Sequence, residues 1–169
     1  MNNIGIVRKV DELGRIVLPK ELRKTLDINA GDDFQIFLDN ENIILKKYNK
    51  LRNYKKELIN IINSFSNILK YNIYFIINNR DLLNNKRINN EIVNIIQERK
   101  IYLNEQIKRV SIFENIIEEG KVIIYPIVID SDLLGTIIIV GNYKSIDMLN
   151  VCKIINNLIK SNILIIEKW

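Results

Sequence analysis

The chain has 169 residues, of which 47% are hydrophobic, and it carries a net charge of +5, one cysteine and no histidine. This length allows one ordinary domain or two small ones. The missing histidine excludes histidine metal sites and histidine-based catalysis, and the single cysteine, Cys152, excludes an internal disulfide. No apolar run approaches the roughly 18 residues of a membrane span, and the first residues do not resemble a signal peptide, so we expect a cytoplasmic protein.

The first 48 residues predict a small domain of short strands with a single short helix. Gly14 is the natural candidate for the positive φ that the first turn needs. Pro19 ends the second strand and is well placed to begin the helix, in which Leu22 and Leu26 lie on the side that should be buried. The predicted elements are a strand over 4–9, a strand over 15–18, a helix over 20–26, and strands over 34–38 and 43–47.

A domain of this size is too small to be comfortably stable by itself. Such domains usually need disulfides, a metal or association with a second chain. The composition removes the first two. We therefore expect residues 1–48 to form an obligate, intertwined homodimer.

Charge is unevenly distributed within this domain. Residues 8–24 hold six basic and three acidic side chains, whereas residues 27–41 hold five acidic and no basic ones. A local basic field is what a polyanion such as double-stranded DNA meets. A merely solvated surface is the alternative interpretation. The candidate DNA-binding residues are Arg8, Lys9, Arg15, Lys20, Arg23 and Lys24.

This first domain resembles the DNA-binding domain of the AbrB family of bacterial transition-state regulators. The resemblance rests on the run from Gly5 to Leu26, on Gly31-Asp32 and on the run from Ile43 to Tyr48. It implies a swapped-hairpin β-barrel shared by two chains. It also implies DNA contacts at positions matching Arg8, Arg15, Arg23 and Lys24. The last of these is often arginine in relatives; lysine keeps the charge and loses the bidentate geometry.

Residues 49–70 predict a helix that connects the first domain to the rest of the chain. Its apolar residues recur at alternating spacings of three and four, which is a heptad seam of about three repeats. Two interpretations stay open: the helix covers a sheet of its own domain, or it pairs with its copy in a dimer. The seam consists of Leu51, Tyr54, Leu58, Ile61, Phe65 and Ile68.

The remaining elements predict an α+β domain over residues 49–169. Their order suggests an antiparallel sheet with its flanking helices on one side. Asn89 or Asn90 can cap the middle helix, and Cys152 lies in an apolar helical run where a thiol is normally buried. The elements after the connector are a strand over 73–77, a helix from 89 or 90 to about 99, strands over 107–113, 121–129 and 133–140, and a helix over 146–167.

This order of elements, with the hairpin around Tyr125-Pro126-Ile127 and Leu134-Gly135, resembles a GAF-type sensory domain. An AbrB-type head joined to such a domain resembles the stage V sporulation protein T group. The resemblance implies a nucleoid-associated transcription regulator of stationary-phase or sporulation genes, dimeric through its head and tetrameric through its C-terminal domain. An effector is unknown; the conceivable pocket residues are Tyr102, Arg109 and Tyr125.

Other classes of protein remain as alternatives. A MazE-type antitoxin shares the small fold but binds its toxin with a short tail, whereas residues 49–169 are apolar and periodic. An oligomeric DNA-architectural protein would use the same charges without specific target sites. An enzyme is the least supported class, because Asp11 and Glu12 have no partner base or metal-ligand cluster. We expect no metal and no cofactor.

Overall fold

The computed structural model describes residues 5–26, 28–129 and 132–164. The chain divides into two compact units, Met1–Tyr48 and Asn49–Trp169. Three sequence predictions extend beyond the described residues: the start of the first strand, the hairpin loop at 130–131, and the last helix after residue 164. Both units mix helices with strands, as the α+β prediction requires.

The first unit contains one helix, α1 (Lys20–Thr25), and an antiparallel hairpin of β1 (Phe34–Asp39) and β2 (Asn42–Lys47). The hairpin closes at the pair Asp39 and Asn42, so its loop has two residues. The first of them, Asn40, has a φ of 51°, which suits a tight hairpin turn. The earlier turn also forms as predicted, with a φ of 75° at Gly14.

The strands predicted over 4–9 and 15–18 are wrong for this single chain, where residues 5–10 and 15–18 are outside any sheet. Neither sheet of the chain closes into a barrel. A strand exists only where a neighbour accepts and donates its hydrogen bonds, and these segments have no such neighbour among the described residues. Leu22 and Leu26, expected to be buried, are 39% and 60% exposed, because the rest of the single chain does not cover their side of α1.

The second unit has its own sheet and core. After a 3-10 helix (Lys50–Tyr54), its elements are α2 (Lys55–Leu69), β3 (Asn72–Ile77), β4 (Arg80–Asp81), α3 (Asn90–Gln97), β5 (Tyr102–Phe113), β6 (Ile116–Ile129), β7 (Asp132–Gly141) and α4 (Ser145–Leu164). The sheet has strand order β4-β3-β7-β6-β5, with every neighbouring pair antiparallel.

Apolar side chains cover both faces of this sheet, so the prediction of helices on one side is wrong. On one face, residues of α2 and α4 such as Leu58 and Ile155 share a core with Ile137 of β7. On the other face, Ile92 of α3 shares a second core with Ile138 of the same strand. Neighbouring residues of a strand point to opposite faces, and the order of elements alone does not specify which face a helix covers.

The heptad seam of α2 belongs to its own domain along most of its length. Leu51 and Leu58 are fully buried in the first core, whereas Ile68 at the end of the seam is 77% exposed. Cys152 is also buried there, and burial raises the pKa of its thiol to about 12. Among the helices of the described residues, none is long and apolar enough to cross a membrane.

Candidate nucleic-acid interface

A tight turn carries Arg15, the first of the candidate DNA-binding residues. The N–H of Gly14 donates to the carbonyl of Asp11 at 2.9 Å, and the N–H of Asp11 donates to the carbonyl of Arg15 at 3.0 Å. This second bond holds the segment before the turn beside the segment after it. Arg8 and Lys9 lie just before Asp11, where this bond is made.

The side chain of Asp11 organises this turn. Its Oδ1 accepts hydrogen bonds from the N–H groups of Leu13 at 3.0 Å and Arg15 at 2.8 Å. Its Oδ2 accepts from Nε of Arg15 at 2.8 Å. The Arg15 side chain is nevertheless 71% exposed. The guanidinium is therefore held at Nε while most of its surface faces solvent.

The electrostatics of the turn follow from these bonds. The backbone N–H of Arg15 and then its guanidinium lower the pKa of Asp11 below its ordinary value. The carboxylate is therefore charged at neutral pH, and its charge fixes the position of Arg15. Asp11 therefore both closes the turn and orients Arg15.

The helix α1 carries the other three candidate residues, Lys20, Arg23 and Lys24, and all of them are exposed. Residues three and four apart on a helix lie on one side of it, so Lys20 is a neighbour of both Arg23 and Lys24. Like charges this close repel one another in the absence of an anion. The side of α1 that holds them is thus a place where a phosphate group would be stabilised.

Arg8 and Lys9 are exposed as well, and Nη1 of Arg8 donates to the carbonyl of Val7 at 3.0 Å. All six candidates are therefore solvent-accessible, in two groups: three around the turn and three on α1. By contrast, Lys47 at the end of β2 is paired with Asp32, with 2.7 Å between Nζ and Oδ2. Across the described residues, no cluster of three or more potential metal-ligating side chains occurs.

Comparison with known proteins shows which family and which relatives this chain is similar to. Residues 7–53 match the family described as antidote-toxin recognition MazE, bacterial antitoxin. Stage V sporulation protein T of Bacillus subtilis (strain 168) is 32% identical over 151 residues, which cover 82% of this chain and 84% of that protein. The chain belongs to the stage V sporulation protein T family. The similarity to that relative runs through both units, whereas the MazE match is confined to the first unit and the residues just after it.

The N-terminal unit of this family member is of the AbrB type, as its residues predicted. Transition state regulatory protein AbrB of the same organism is 62% identical over 48 residues, which cover 28% of this chain and 50% of that protein. The solution structure of the N-domain of the transcription factor abrB is likewise 62% identical, with a TM-score of 0.27 and coverage of 28% of this chain and 92% of that one. These relatives are named as regulators rather than as enzymes.

The three conceivable pocket residues of the second unit do not come together. Tyr102 pairs with Ile124, which faces the core under α3, whereas Tyr125 packs against the core under α4. They therefore lie on opposite faces of the sheet. Arg109 is exposed on β5, opposite Glu119. A cleft at the other edge of the sheet is lined by none of these three residues, and the sequence did not indicate it.

Proposed function

We propose that this protein is a DNA-binding transcription regulator of sporulation or stationary-phase genes. The observation that supports this best is the exposure of six basic side chains on the turn and on α1, within a unit that is 62% identical to the transition state regulatory protein AbrB. Its full-length relative is named as a sporulation protein. Phosphate neutralisation by these side chains, with release of counterions, would supply most of the affinity.

The DNA-binding form is a homodimer, because the first unit leaves its apolar side chains uncovered. Among the described residues it exposes fourteen large apolar side chains, against nine in the much larger second unit. A second copy would cover them by pairing with the segments before and after the turn. The result would be the swapped-hairpin barrel that the AbrB resemblance implies, with both sets of six basic residues in one assembly.

The basic residues lie on short elements, and this limits how the protein can recognise a DNA sequence. The only helix in the described part of the first unit, α1, has six residues, so it cannot act as a long recognition helix. Arg15 is held by Asp11 through Nε, which leaves the outer nitrogens of the exposed guanidinium available to donate to a phosphate or a base edge. Reading of the DNA shape therefore contributes more to selectivity than a dense set of base contacts.

The second unit is a GAF-like domain that senses an effector, joins dimers into a tetramer, or does both. Its five-stranded antiparallel sheet with helices on both faces supports the assignment. Joining two dimers would let two DNA-binding heads hold separated sites with gained avidity. Light scattering of the full chain would return the mass of a tetramer.

Removing single arginines from the interface tests the proposal. Arg15→Ala and Arg23→Ala should each weaken binding to a promoter fragment by about 1–3 kcal/mol, while the circular dichroism spectrum and the mass of the assembly stay unchanged. Lys153→Ala is the matched control, because Lys153 is an exposed cation on α4 of the second unit. The measurement is fluorescence anisotropy at fixed salt; equal affinities of Arg15→Ala, Arg23→Ala and the control would refute the interface.

The MazE match favours one alternative, an antitoxin. An antitoxin of that type would bind its toxin through the residues that follow the head. Here residues 49–164 include a five-stranded sheet with two buried cores, which leaves little extended tail. Neutralisation of a toxin by a fragment comprising residues 1–60 would favour this alternative over the regulator.

A further inference from the structure

A cleft of about 180 Å³ lies between α2 and the edge of the sheet formed by β3 and β4. The helix contributes Ile59, Ile62 and Asn63, and the turn after β4 contributes Leu83 and Asn84. The floor of the cleft is the edge of β3. Nothing in the DNA-binding proposal uses this cleft, and it is remote along the chain from the basic residues of the first unit.

The edge of β3 is open at Ile73. The carbonyl of Phe75 accepts a hydrogen bond from Leu82 at 2.8 Å, so the backbone groups of Phe75 point away from β7. The backbone groups of a strand alternate between its two neighbours, so the N–H and carbonyl of Ile73 also point away from β7. On that side β4 pairs only with Ile76 and Ile77, and no hydrogen bond from the described residues reaches Ile73.

Asp81 keeps this edge open by turning the chain away after two residues of β4. Its Oδ2 accepts from the N–H of Asn84 at 3.1 Å, and its carbonyl accepts from the N–H of Asn85 at 2.9 Å. The side chain is 3% exposed, and burial raises the pKa of Asp81 while hydrogen bonds from backbone N–H groups oppose the shift.

An open edge at this place can accept a partner. The unpaired N–H and carbonyl of an edge strand are a template for pairing with another chain. A second extended backbone supplies one acceptor and one donor at the required spacing, which is the basis of peptide recognition by strand addition. The volume is close to that of an engineered apolar cavity of about 150 Å³ that binds benzene, so the cleft also has room for one apolar side chain.

We propose that the cleft binds a short apolar peptide in extended conformation. The peptide backbone pairs with the N–H and carbonyl of Ile73, and one apolar side chain enters between Ile59 and Ile62 of α2 and Leu83 of the turn. The bound peptide therefore contacts α2, the first α-helix of the second unit. Any effect on regulation rests on the proposed function, whereas the binding itself does not.

Hydrogen exchange on the 15N-labelled full-length protein, without DNA, tests this directly. In the free protein the Ile73 amide should exchange faster than that of Tyr74, which points to β7. The probe is acetyl-Val-Val-Val-amide, and its analogue with all three valine nitrogens methylated is the control. At tenfold excess over its dissociation constant, the probe should slow exchange at Ile73 about tenfold, and the methylated analogue should have no effect.

Two variants show where the peptide binds. Asn63→Trp places a large side chain in the lining of the cleft and should abolish the protection. Ile68→Trp, on another side of α2, where Ile68 is 77% exposed and outside the lining, should preserve it. Both variants should bind promoter DNA as the unmodified chain does, so failure here is distinguishable from failure of the DNA-binding proposal.

Several outcomes would overturn the proposal. They are an Ile73 amide as slow as that of Tyr74 in the free protein, equal protection by the methylated analogue, or no protection at millimolar probe. Protection that grows with protein concentration alone would also overturn it, because a second copy of the chain would then occupy the edge.

Discussion

At the scale of single residues, the turn at Asp11 links local structure to the basic surface. Three hydrogen bonds from Leu13 and Arg15 converge on its carboxylate. Because the bonds stabilise the charged form, they lower the pKa of Asp11. The stability they contribute is present above the ordinary pKa of an aspartate, and it is lost as the pH falls through the lowered pKa.

Arg15→Ala should raise the pKa of Asp11 only part of the way to its ordinary value. The substitution removes the bond from Nε, but it keeps the backbone N–H of residue 15, which is the largest cause of the shift. The measurement is a 13C NMR titration of the Asp11 carboxyl carbon in both proteins. An unchanged pKa, or a complete return to the ordinary value, would contradict the geometry of the turn.

Some features of single residues could be predicted from the sequence. The positive φ of Gly14 and the buried thiol of Cys152 are both confirmed. These features depend on the residue itself and on its immediate neighbours. The open edge at Ile73 was beyond prediction, because it depends on where the chain after β4, turned by Asp81, leaves the sheet.

At the scale of elements, Asn89 determines how α3 sits on the sheet. Its Oδ1 accepts from the N–H of Ile92 at 2.9 Å, which caps the helix. Its Nδ2 donates to the carbonyl of Ser111, and its N–H donates to the carbonyl of Ile112 at 3.0 Å. One side chain therefore both begins α3 and joins it to β5. The sequence pattern did not distinguish Asn89 from Asn90 as the residue that caps this helix.

Asn89→Ala should destabilise the second unit by roughly 1–3 kcal/mol, because a helix cap is lost and the Ser111 carbonyl loses its donor. Asn90→Ala is the matched control. Asn90 is exposed and lies one position later, so its loss should change the free energy of unfolding by about 0.5 kcal/mol or less. Urea unfolding of the full chain measures both, and equal losses would contradict the role of Asn89.

The strand β5 shows why some elements are hard to predict. The sequence predicted only residues 107–113, whereas the strand begins at Tyr102. It lies at the edge of the sheet and has an irregularity between Asn104 and Lys108. Charged residues and such bulges protect edge strands from aggregation, and they also remove the alternation of polar and apolar residues by which strands are recognised.

At the scale of the whole molecule, the two units differ in whether a single chain can bury their apolar side chains. The second unit buries two cores of its own. In the first unit, Pro19 is the only buried residue among those described. The strands predicted over 4–9 and 15–18 require hydrogen-bond partners that one chain does not contain. Sequence patterns predict which residues favour a strand, but they do not say which chain supplies its neighbour.

The fragment of residues 1–50 should therefore sediment as a dimer, and its melting temperature should rise with concentration, because only the associated form is folded. Ile36→Asp should unfold it, since Ile36 is 68% exposed in the single chain and a second copy would bury it. Gln35→Asp, on the other face of β1, should leave the dimer intact. A folded monomer in analytical ultracentrifugation would mean that the exposed apolar side chains need no partner, and the shared barrel would have to be abandoned.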